Sequence, residues 1–103
     1  MKQMEIPGPE TKEKPFYIMK LFVIAGEPNS QLARDNLKRI CDEYLSDHCR
    51  VEEVDVLVDF ASALNAKVFV TPTLVLIEPG PRATIIGNLN NKERVIAALR
   101  LRV

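Results

Sequence analysis

The stretch Val68-Phe69-Val70-Thr71-Pro72-Thr73-Leu74-Val75-Leu76-Ile77 decides the fold of this chain. Its β-branched and apolar residues predict a strand that is buried inside a sheet. Pro72 stands near the beginning of this run, where a proline removes one hydrogen bond of the ladder and therefore needs a structural reason. Residues 78–81, Glu-Pro-Gly-Pro, predict a turn, and residues 82–87 predict the antiparallel strand that returns from it.

The sequence before this hairpin predicts a strand, a helix and a second strand. Residues 16–24 are a nearly continuous run of apolar β-formers, which is typical of a central strand. Residues 26–29 interrupt it, and a helix with one apolar face is predicted from Ser30 to about Asp47. That face consists of Ala33, Leu37, Ile40, Cys41 and Tyr44. The second strand is predicted from Val51, Val54, Val56 and Leu57. Strand, helix and strand form a βαβ unit, which implies parallel strands.

Two further helices complete the predicted order. Asp59 can cap a short helix over residues 60–64, and Asn90 with Glu93 three places later predicts the start of the last helix. The core-facing residues of that last helix are predicted to be Val95, Ile96, Leu99 and Val103. The order β-α-β-α-β-β-α is that of the thioredoxin-like α/β fold, so we expect one such domain over residues 16–103.

The thioredoxin-like order has a consequence for Pro72. In thioredoxin-like proteins the equivalent proline is cis and lies beside the N-terminus of the first helix. The resemblance therefore implies that Pro72 is cis and faces the turn at residues 26–30; the alternative is a trans proline at the start of a strand. Redox members carry cysteines in that turn, where the helix N-terminus lowers the pKa of a thiol. This chain has Gly-Glu-Pro-Asn-Ser there, and a serine needs a neighbouring base to react. We expect no thiol exchange at this turn.

Composition excludes several other classes of function. Among 103 residues, 14 Lys and Arg balance 14 Asp and Glu, which gives no long-range field for nucleic acid or an anionic membrane. No apolar run approaches the roughly 20 residues of a membrane helix, and the first residues do not form a secretory signal. We therefore expect a cytoplasmic protein. Residues 1–15 contain three prolines among charged residues and predict a flexible leader.

The two cysteines give no sign of a metal or redox site. Cys41 and Cys49 are separated by seven residues, a spacing that matches neither a zinc motif nor C-x-x-C. Cys41 lies on the apolar helix face and is predicted to be a small core residue. A disulfide between the two is conceivable, but a reducing cytosol argues against it. The chain has four glycines and no phosphate-binding loop. We expect no metal, no cofactor and no catalytic residue.

Several stretches together resemble the KaiB family. They are residues 20–26 leading into Pro28-Asn29-Ser30, then Val54-Asp55-Val56-Leu57, Thr71-Pro72-Thr73-Leu74, and Ile85-Ile86-Gly87-Asn88-Leu89. The similarity extends from about Ile18 to Leu101. It implies a non-enzymatic regulator that binds the KaiC ATPase, or a KaiC-like ATPase, in a circadian, clock-like or stress programme. The candidate contact residues are Gly26, Pro28, Asn29, Ser30, Asp55 and Lys67; a solvated surface lysine is the alternative for Lys67.

The resemblance also implies fold switching and assembly. KaiB proteins rest as an oligomer, often a tetramer, in which the second half has a different fold, and they bind KaiC in the thioredoxin-like form. Cyanobacterial members tend to have Gly and Asp where this chain has Ala98 and Arg100. Alanine favours a helix over glycine by about 1 kcal/mol, and arginine over aspartate by a few tenths. These two residues therefore predict a larger population of the thioredoxin-like state.

Two alternatives limit the list of partners. Cyanobacterial members tend to carry a basic residue where this chain has Glu52, on the strand implicated in binding KaiA, so the reversed charge argues against a KaiA-type partner. A redox-inactive thioredoxin-fold protein that binds glutathione through the Pro72 loop is the runner-up function, and retention on immobilised glutathione would support it. A purely structural subunit would instead be a constitutive oligomer without an ATPase partner.

Overall fold

A computed structural model describes residues 15–101 of the chain. Its elements are β1 (Tyr17–Val23), α1 (Pro28–Ile40), β2 (Cys49–Asp55), α2 (Phe60–Asn65), β3 (Thr73–Glu78), β4 (Ala83–Ile86) and α3 (Lys92–Leu99). One π-helical turn, Cys41–Leu45, continues α1. The predicted order of elements is confirmed. The predicted leader, apart from Pro15, and the predicted core position of Val103 lie outside the described residues.

The four strands form one sheet in the order β2-β1-β3-β4. β1 is parallel to β2 and antiparallel to β3, and β3 is antiparallel to β4. In the register, Val23 lies opposite Asp55, and Thr73 lies opposite both Phe22 and Ile86. The ends of β1, β2 and β4 and the start of β3 therefore share one edge. We call this the cis-proline edge; it comprises the connecting residues 24–27, 56–59, 66–72 and 87–91.

The two faces of the sheet pack against different helices. The larger core lies between the sheet and the helices α1 and α3, and its most buried members include Met19, Leu21, Leu37, Leu74, Leu76 and Leu99. The opposite face holds a smaller core of Phe22, Val54, Ala63, Val68 and Val75, to which α2 contributes Ala63. Cys41 is buried in the larger core, as predicted. None of the helices in residues 15–101 has the length and apolarity needed to span a bilayer.

Several element boundaries differ from the prediction. β2 begins at Cys49 and ends at Asp55, so Val56 and Leu57 follow the strand. β3 begins only after Pro72, because a proline has no N–H to donate to the ladder. The N-cap of α3 is Asn91 and not Asn90, since the Asn91 side chain accepts from Arg94 N at 3.1 Å.

The interpretation of Arg100 as a helix-favouring residue is wrong. Arg100 follows the last residue of α3 with φ of 56°, in the left-handed region that arginine disfavours. Its guanidinium donates to the carbonyl oxygens of Pro79 at 3.2 Å and Pro81 at 3.1 Å. Arg100 therefore ties the end of α3 to the β3–β4 turn. Ala98 does lie within α3, so the argument from helix propensity applies to that position alone.

Candidate partner-binding site

The fold collects most of the candidate residues at the cis-proline edge. Residues 26–30 cover the β1–α1 turn and the first turn of α1, Asp55 ends β2, and both Lys67 and Pro72 lie in the α2–β3 connection. Ala98 and Arg100 lie at the other end of the molecule, beside the β3–β4 turn. The candidates for partner contact are thus brought together, and the two residues chosen for fold-state bias are not part of this site.

A buried hydroxyl organises the β1–α1 turn. The Ser30 side chain is 1% exposed, accepts a hydrogen bond from Ile24 N at 3.1 Å and donates to Glu27 Oε1 at 2.6 Å. The same carboxylate oxygen accepts from Thr71 Oγ1 at 3.2 Å. Ser30 therefore shapes the turn from inside and does not present its side chain to a partner. Glu27 and Thr71 were missed by the sequence reasoning; a polar residue next to Pro72 and a carboxylate in the turn were the available signals.

The proline loop joins this turn to the end of β4. The Thr71–Pro72 peptide bond is cis, the isomer that the resemblance implied, and Pro72 is buried. The Pro72 carbonyl accepts from Gly87 N at 2.9 Å, where Gly87 has φ of 114°. Three segments that are distant in sequence are therefore held together: the turn through Glu27, the loop through Thr71 and Pro72, and the strand end through Gly87.

The start of α1 is fixed by its own residues and by an asparagine contact. Pro28 occupies the first helical position, where its fixed φ and missing N–H are tolerated. Gly26 precedes it with φ of 85°, a conformation that favours glycine. Asn88 Nδ2 donates to Asn29 Oδ1 at 3.2 Å, which links the β4–α3 connection to α1. Gly26, Pro28 and Asn29 are exposed, so all three can be touched by a partner.

Asp55 and Asp59 shape the connection between β2 and α2. Asp55 Oδ1 accepts from Leu57 N at 2.9 Å, which folds the chain back at the end of the strand. Asp59 accepts from Ser62 N at 3.1 Å and from Ser62 Oγ at 2.7 Å, and so caps α2. These hydrogen bonds from Ser62 lower the pKa of the Asp59 carboxyl. The predicted cap at Asp59 is confirmed.

Lys67 ends the α2 segment in an exposed position. Its backbone N–H donates to Leu64 O at 3.0 Å, and its φ is 59°. Within residues 15–101 its ammonium group forms no ion pair. A charged group on an exposed, left-handed residue at the end of a helix is available to an acidic group of a partner.

Large apolar side chains surround Lys67 in the sequence and are exposed. We call them the α2 patch: Leu57, Val58, Phe60, Leu64, Phe69 and Val70, whose exposed fractions run from 49% to 84%. A concentration of exposed apolar side chains marks an interaction surface. The sequence analysis missed this patch: it assigned Leu57 to a strand and Phe60 and Leu64 to a short helix, and a helix of this length does not show from its sequence which side chains stay exposed.

Comparison with known proteins identifies the family. The family profile for the KaiB domain matches residues 20–101. The chain belongs to the KaiB family. The circadian clock protein KaiB3 of Synechocystis sp. is 39% identical over 82 residues, which cover 80% of each chain. The circadian clock oscillator protein KaiB of Nostoc punctiforme is 38% identical over 90 residues, which cover 87% of this chain and 86% of that protein. The resemblance to the KaiB family is therefore confirmed, and the matched relatives are named as circadian clock proteins.

Solved structures confirm the thioredoxin-like fold of this KaiB-family chain. The N-terminal domain of Synechococcus elongatus SasA aligns with a TM-score of 0.70 at 20% identity, covering 97% of this chain and 94% of that domain. Mitochondrial thioredoxin 3 of Saccharomyces cerevisiae aligns with a TM-score of 0.68 at 20% identity, covering 85% and 81%. The similarity to both structures concerns the fold.

The cis-proline edge combines paired polar groups with exposed apolar side chains. Its polar groups, Glu27, Ser30 and Thr71, hydrogen-bond one another, and the Ser30 hydroxyl is buried. Its exposed groups include the apolar side chains of the α2 patch and the Lys67 side chain. Residues 15–101 contain no grouping of three or more His, Cys, Asp and Glu side chains that could hold a metal ion.

Proposed function

We propose that this KaiB-family protein is a non-enzymatic adaptor that docks on KaiC or a KaiC-like ATPase through the α2 patch and the cis-proline edge. The observation that carries the proposal is the α2 patch, six large apolar side chains left in solvent near the exposed Lys67. Covering such side chains removes apolar surface from water, which is the dominant favourable term in most protein associations.

The scaffold under this surface supports docking with little reorganisation. The Glu27 carboxylate ties the β1–α1 turn to Thr71, and the Asp59 cap fixes the start of α2. A surface whose backbone is already held in place loses less conformational freedom on binding. Gly26, Pro28 and Asn29 are exposed beside this fixed edge, and Asn29 offers a polar side chain.

Lys67 gives the proposed surface a preference for charge. Lys67 is exposed and lies in the sequence between Leu64 and Phe69, both of which are exposed. A charge at the rim of an apolar patch steers association and selects partners of complementary charge. We therefore assign to the ATPase an acidic residue that meets Lys67. Asp55 serves this surface by holding the β2–α2 turn through its bond to Leu57 N.

The proposal includes the assembly and the fold state that the family implies. The free protein is proposed to form a dimer or tetramer and to exchange between the thioredoxin-like fold and a state with a different C-terminal half. Ala98 within α3 favours the thioredoxin-like state, because glycine in a helix interior costs about 1 kcal/mol relative to alanine. Ala98→Gly is expected to lower the ratio of the helical state to the alternative state of residues 92–99 about fivefold, as measured by backbone NMR shifts. Unchanged shifts would remove Ala98 from this role.

Glu52 limits the partners beyond the ATPase. It is exposed on the edge strand β2, and its carboxylate lies 3.9 Å from Lys20 Nζ. Its acidic charge supports the absence of a KaiA-type interaction at this strand. A binding assay of Glu52→Lys with a KaiA-type protein tests this point, and the same variant is measured against the ATPase because Glu52 pairs with Lys20 on the face of the sheet that α2 covers.

The deciding experiment is a binding assay with the KaiC-like ATPase of the same genome, with and without ATP, by gel filtration or pull-down. Phe69→Ala is expected to weaken the complex at least tenfold, since truncating a buried interface aromatic costs about 2 kcal/mol or more. Phe16→Ala is the matched control, because Phe16 is 49% exposed next to the start of β1, at the far end of the sheet. Lys67→Glu is expected to weaken the complex as well, and Lys38→Glu on α1 is its control.

Two outcomes would contradict the proposal. No complex with the wild-type protein at tens of micromolar would remove the ATPase as partner while leaving the fold untouched. If Phe69→Ala and Phe16→Ala weakened binding to the ATPase equally, the interface would not be centred on the α2 patch. Retention of the wild-type protein on immobilised glutathione, abolished by a change at Thr71, would favour the glutathione-binding alternative.

A further inference from the structure

A pair of cysteine thiols lies at the end of the molecule opposite the cis-proline edge. Cys41 begins the π-helical turn that follows α1, and Cys49 is the first residue of β2, where it pairs with Tyr17 at the start of β1. Both side chains are free thiols. Cys41 is buried in the larger core, Cys49 packs against that core, and both residues line the same cavity.

The backbone between the two cysteines holds them in this arrangement. Ser46 N donates to Cys41 O at 2.9 Å, and His48 N donates to Leu45 O at 2.8 Å. Ser46 has φ of 51°, which reverses the chain direction between helix and strand. The fold therefore brings the two cysteines to one cavity, although seven residues separate them in the sequence.

The two thiols differ in their surroundings. Burial and the neighbouring Cys49 raise the pKa of the Cys41 thiol to about 12, so Cys41 is protonated at neutral pH. Cys49 is only half-buried. Both line a cavity of about 390 Å³ between α1 and β2, with Leu37 and Val51 on its wall and Arg34 and Lys38 among its lining residues. A small oxidant can reach Cys49 through this cavity, and the thiolate of the more exposed cysteine is the reactive form.

We propose that Cys41 and Cys49 are a peroxide-oxidisable pair that closes to an intramolecular disulfide joining the end of α1 to the first residue of β2. In the first step the Cys49 thiolate attacks one oxygen of hydrogen peroxide, the O–O bond breaks, and a sulfenic acid and hydroxide form. In the second step the Cys41 sulfur attacks the Cys49 sulfur; the S–S bond forms, the S–O bond breaks, and water leaves with the Cys41 proton. Two thiols are oxidised and one peroxide is reduced to two waters.

The disulfide modifies an outer strand of the sheet, at the end opposite the cis-proline edge. β2 is an edge strand, and closure fixes its first residue covalently to the end of α1. The modification is reversible by thiol reductants, because Cys49 remains accessible from the cavity. It lies at the opposite end of β2 from Asp55, so the proposed ATPase surface and this pair can be tested separately.

The test treats the full-length reduced protein with stoichiometric hydrogen peroxide and follows intact mass, thiol titration under denaturing conditions and peptide mapping. The expected result is loss of both thiols, a mass lower by two hydrogen atoms, a monomer on non-reducing electrophoresis and full reversal by dithiothreitol. Cys41→Ala is expected to stop at a Cys49 sulfenic acid that dimedone traps. Cys49→Ala is expected to leave the Cys41 thiol unreacted.

Two results would overturn the proposal. The first is an oxidised wild-type protein without the intramolecular disulfide. In that case Cys49 would gain oxygen while the Cys41 thiol stays titratable, or the disulfides that form would all join two chains. The second uses the wild-type protein alone. If the disulfide formed at the same rate in the native protein and in guanidinium, the fold would not be what brings the thiols together.

Discussion

The two faces of the sheet differ in how completely helices bury their apolar side chains. One face lies under α1 and α3, and the other lies under α2. The first face buries a cluster of fifteen residues beneath helices of thirteen and eight residues. The second buries five, beneath a helix of six residues. Because α2 is too short to cover the apolar residues around it, leucine and phenylalanine remain in solvent there. The first face is the source of stability, and the second is a surface that a partner can complete.

The largest expected effect is a difference in stability between two leucine-to-alanine substitutions, one on each face of the sheet. Leu74 is 0% exposed in the larger core, whereas Leu57 is 75% exposed in the α2 patch. Leu74→Ala is expected to lower the free energy of unfolding by about 2–5 kcal/mol, because it removes buried apolar contacts and leaves a cavity. Leu57→Ala is expected to change it by less than about 0.5 kcal/mol. Urea unfolding followed by circular dichroism measures both.

The same two variants sharpen the comparison in the binding assay. Leu57→Ala is expected to weaken the complex with the ATPase although the protein folds normally. Stability losses of similar size in both variants would show that the α2 patch is covered in the free protein, for example by a second copy of the chain, and would move Leu57 into an interface between subunits.

The second prediction compares the starts of α1 and α2, each held by a serine. Ser30→Ala is expected to lower the free energy of unfolding by about 1–3 kcal/mol, because it leaves the partly buried Ile24 N–H without its acceptor. Ser62→Ala is expected to cost less than about 0.5 kcal/mol, because Ser62 N keeps its bond to Asp59 and the site is exposed. Equal losses in thermal unfolding would contradict the assignment of Ser30 to the interior of the turn.

Local patterns carried most of the fold in the sequence. The apolar run at residues 16–24 and the helical spacing of Ala33, Leu37 and Ile40 give β1 and α1, and both are found. Asp59 was identified as the cap of α2 because capping depends on residues three places apart. The boundaries that were missed, at Thr73 and Asn91, have local causes as well. Pro72 has no N–H for the ladder. Asn90 and Asn91 are adjacent and of the same residue type, so the sequence does not show which of them caps α3.

The site was harder to predict, because its groups meet only through the topology. Glu27 and Thr71 are distant in sequence and share one hydrogen bond, which no local pattern shows. The exposure of Leu57 and Phe60 depends on how short α2 is. The error at Arg100 has the same origin: a helix-favouring residue was inferred from propensity, whereas the end of α3 is set by contacts with Pro79 and Pro81.

The third prediction concerns Arg100, which ties the end of α3 to the β3–β4 turn beside the larger core. Arg100→Ala and Arg100→Gly both remove the hydrogen bonds to the carbonyls of Pro79 and Pro81. Alanine keeps the cost of a left-handed residue, about 1 kcal/mol, whereas glycine removes it. The alanine variant is therefore expected to be less stable than the glycine variant by about 1 kcal/mol in urea unfolding. The reverse order would show that Arg100 is not left-handed in solution.

The smallest expected effect is a pH dependence confined to the start of α2. Hydrogen bonds from Ser62 hold the pKa of the Asp59 carboxyl below its ordinary value of 3.8. A carboxyl whose pKa is lowered by folding stabilises the folded state fully above the unfolded pKa, and this contribution is lost as the pH falls through the folded value. The Ser62 amide shift in NMR spectra is therefore expected to stay constant down to about pH 4 and to change only below it. Asp59→Asn keeps an N-capping side chain without a titrating group, so its Ser62 amide is expected to show no such step. A step at the same pH in both proteins would assign the acid response to another group and leave the cap of α2 independent of the Asp59 charge.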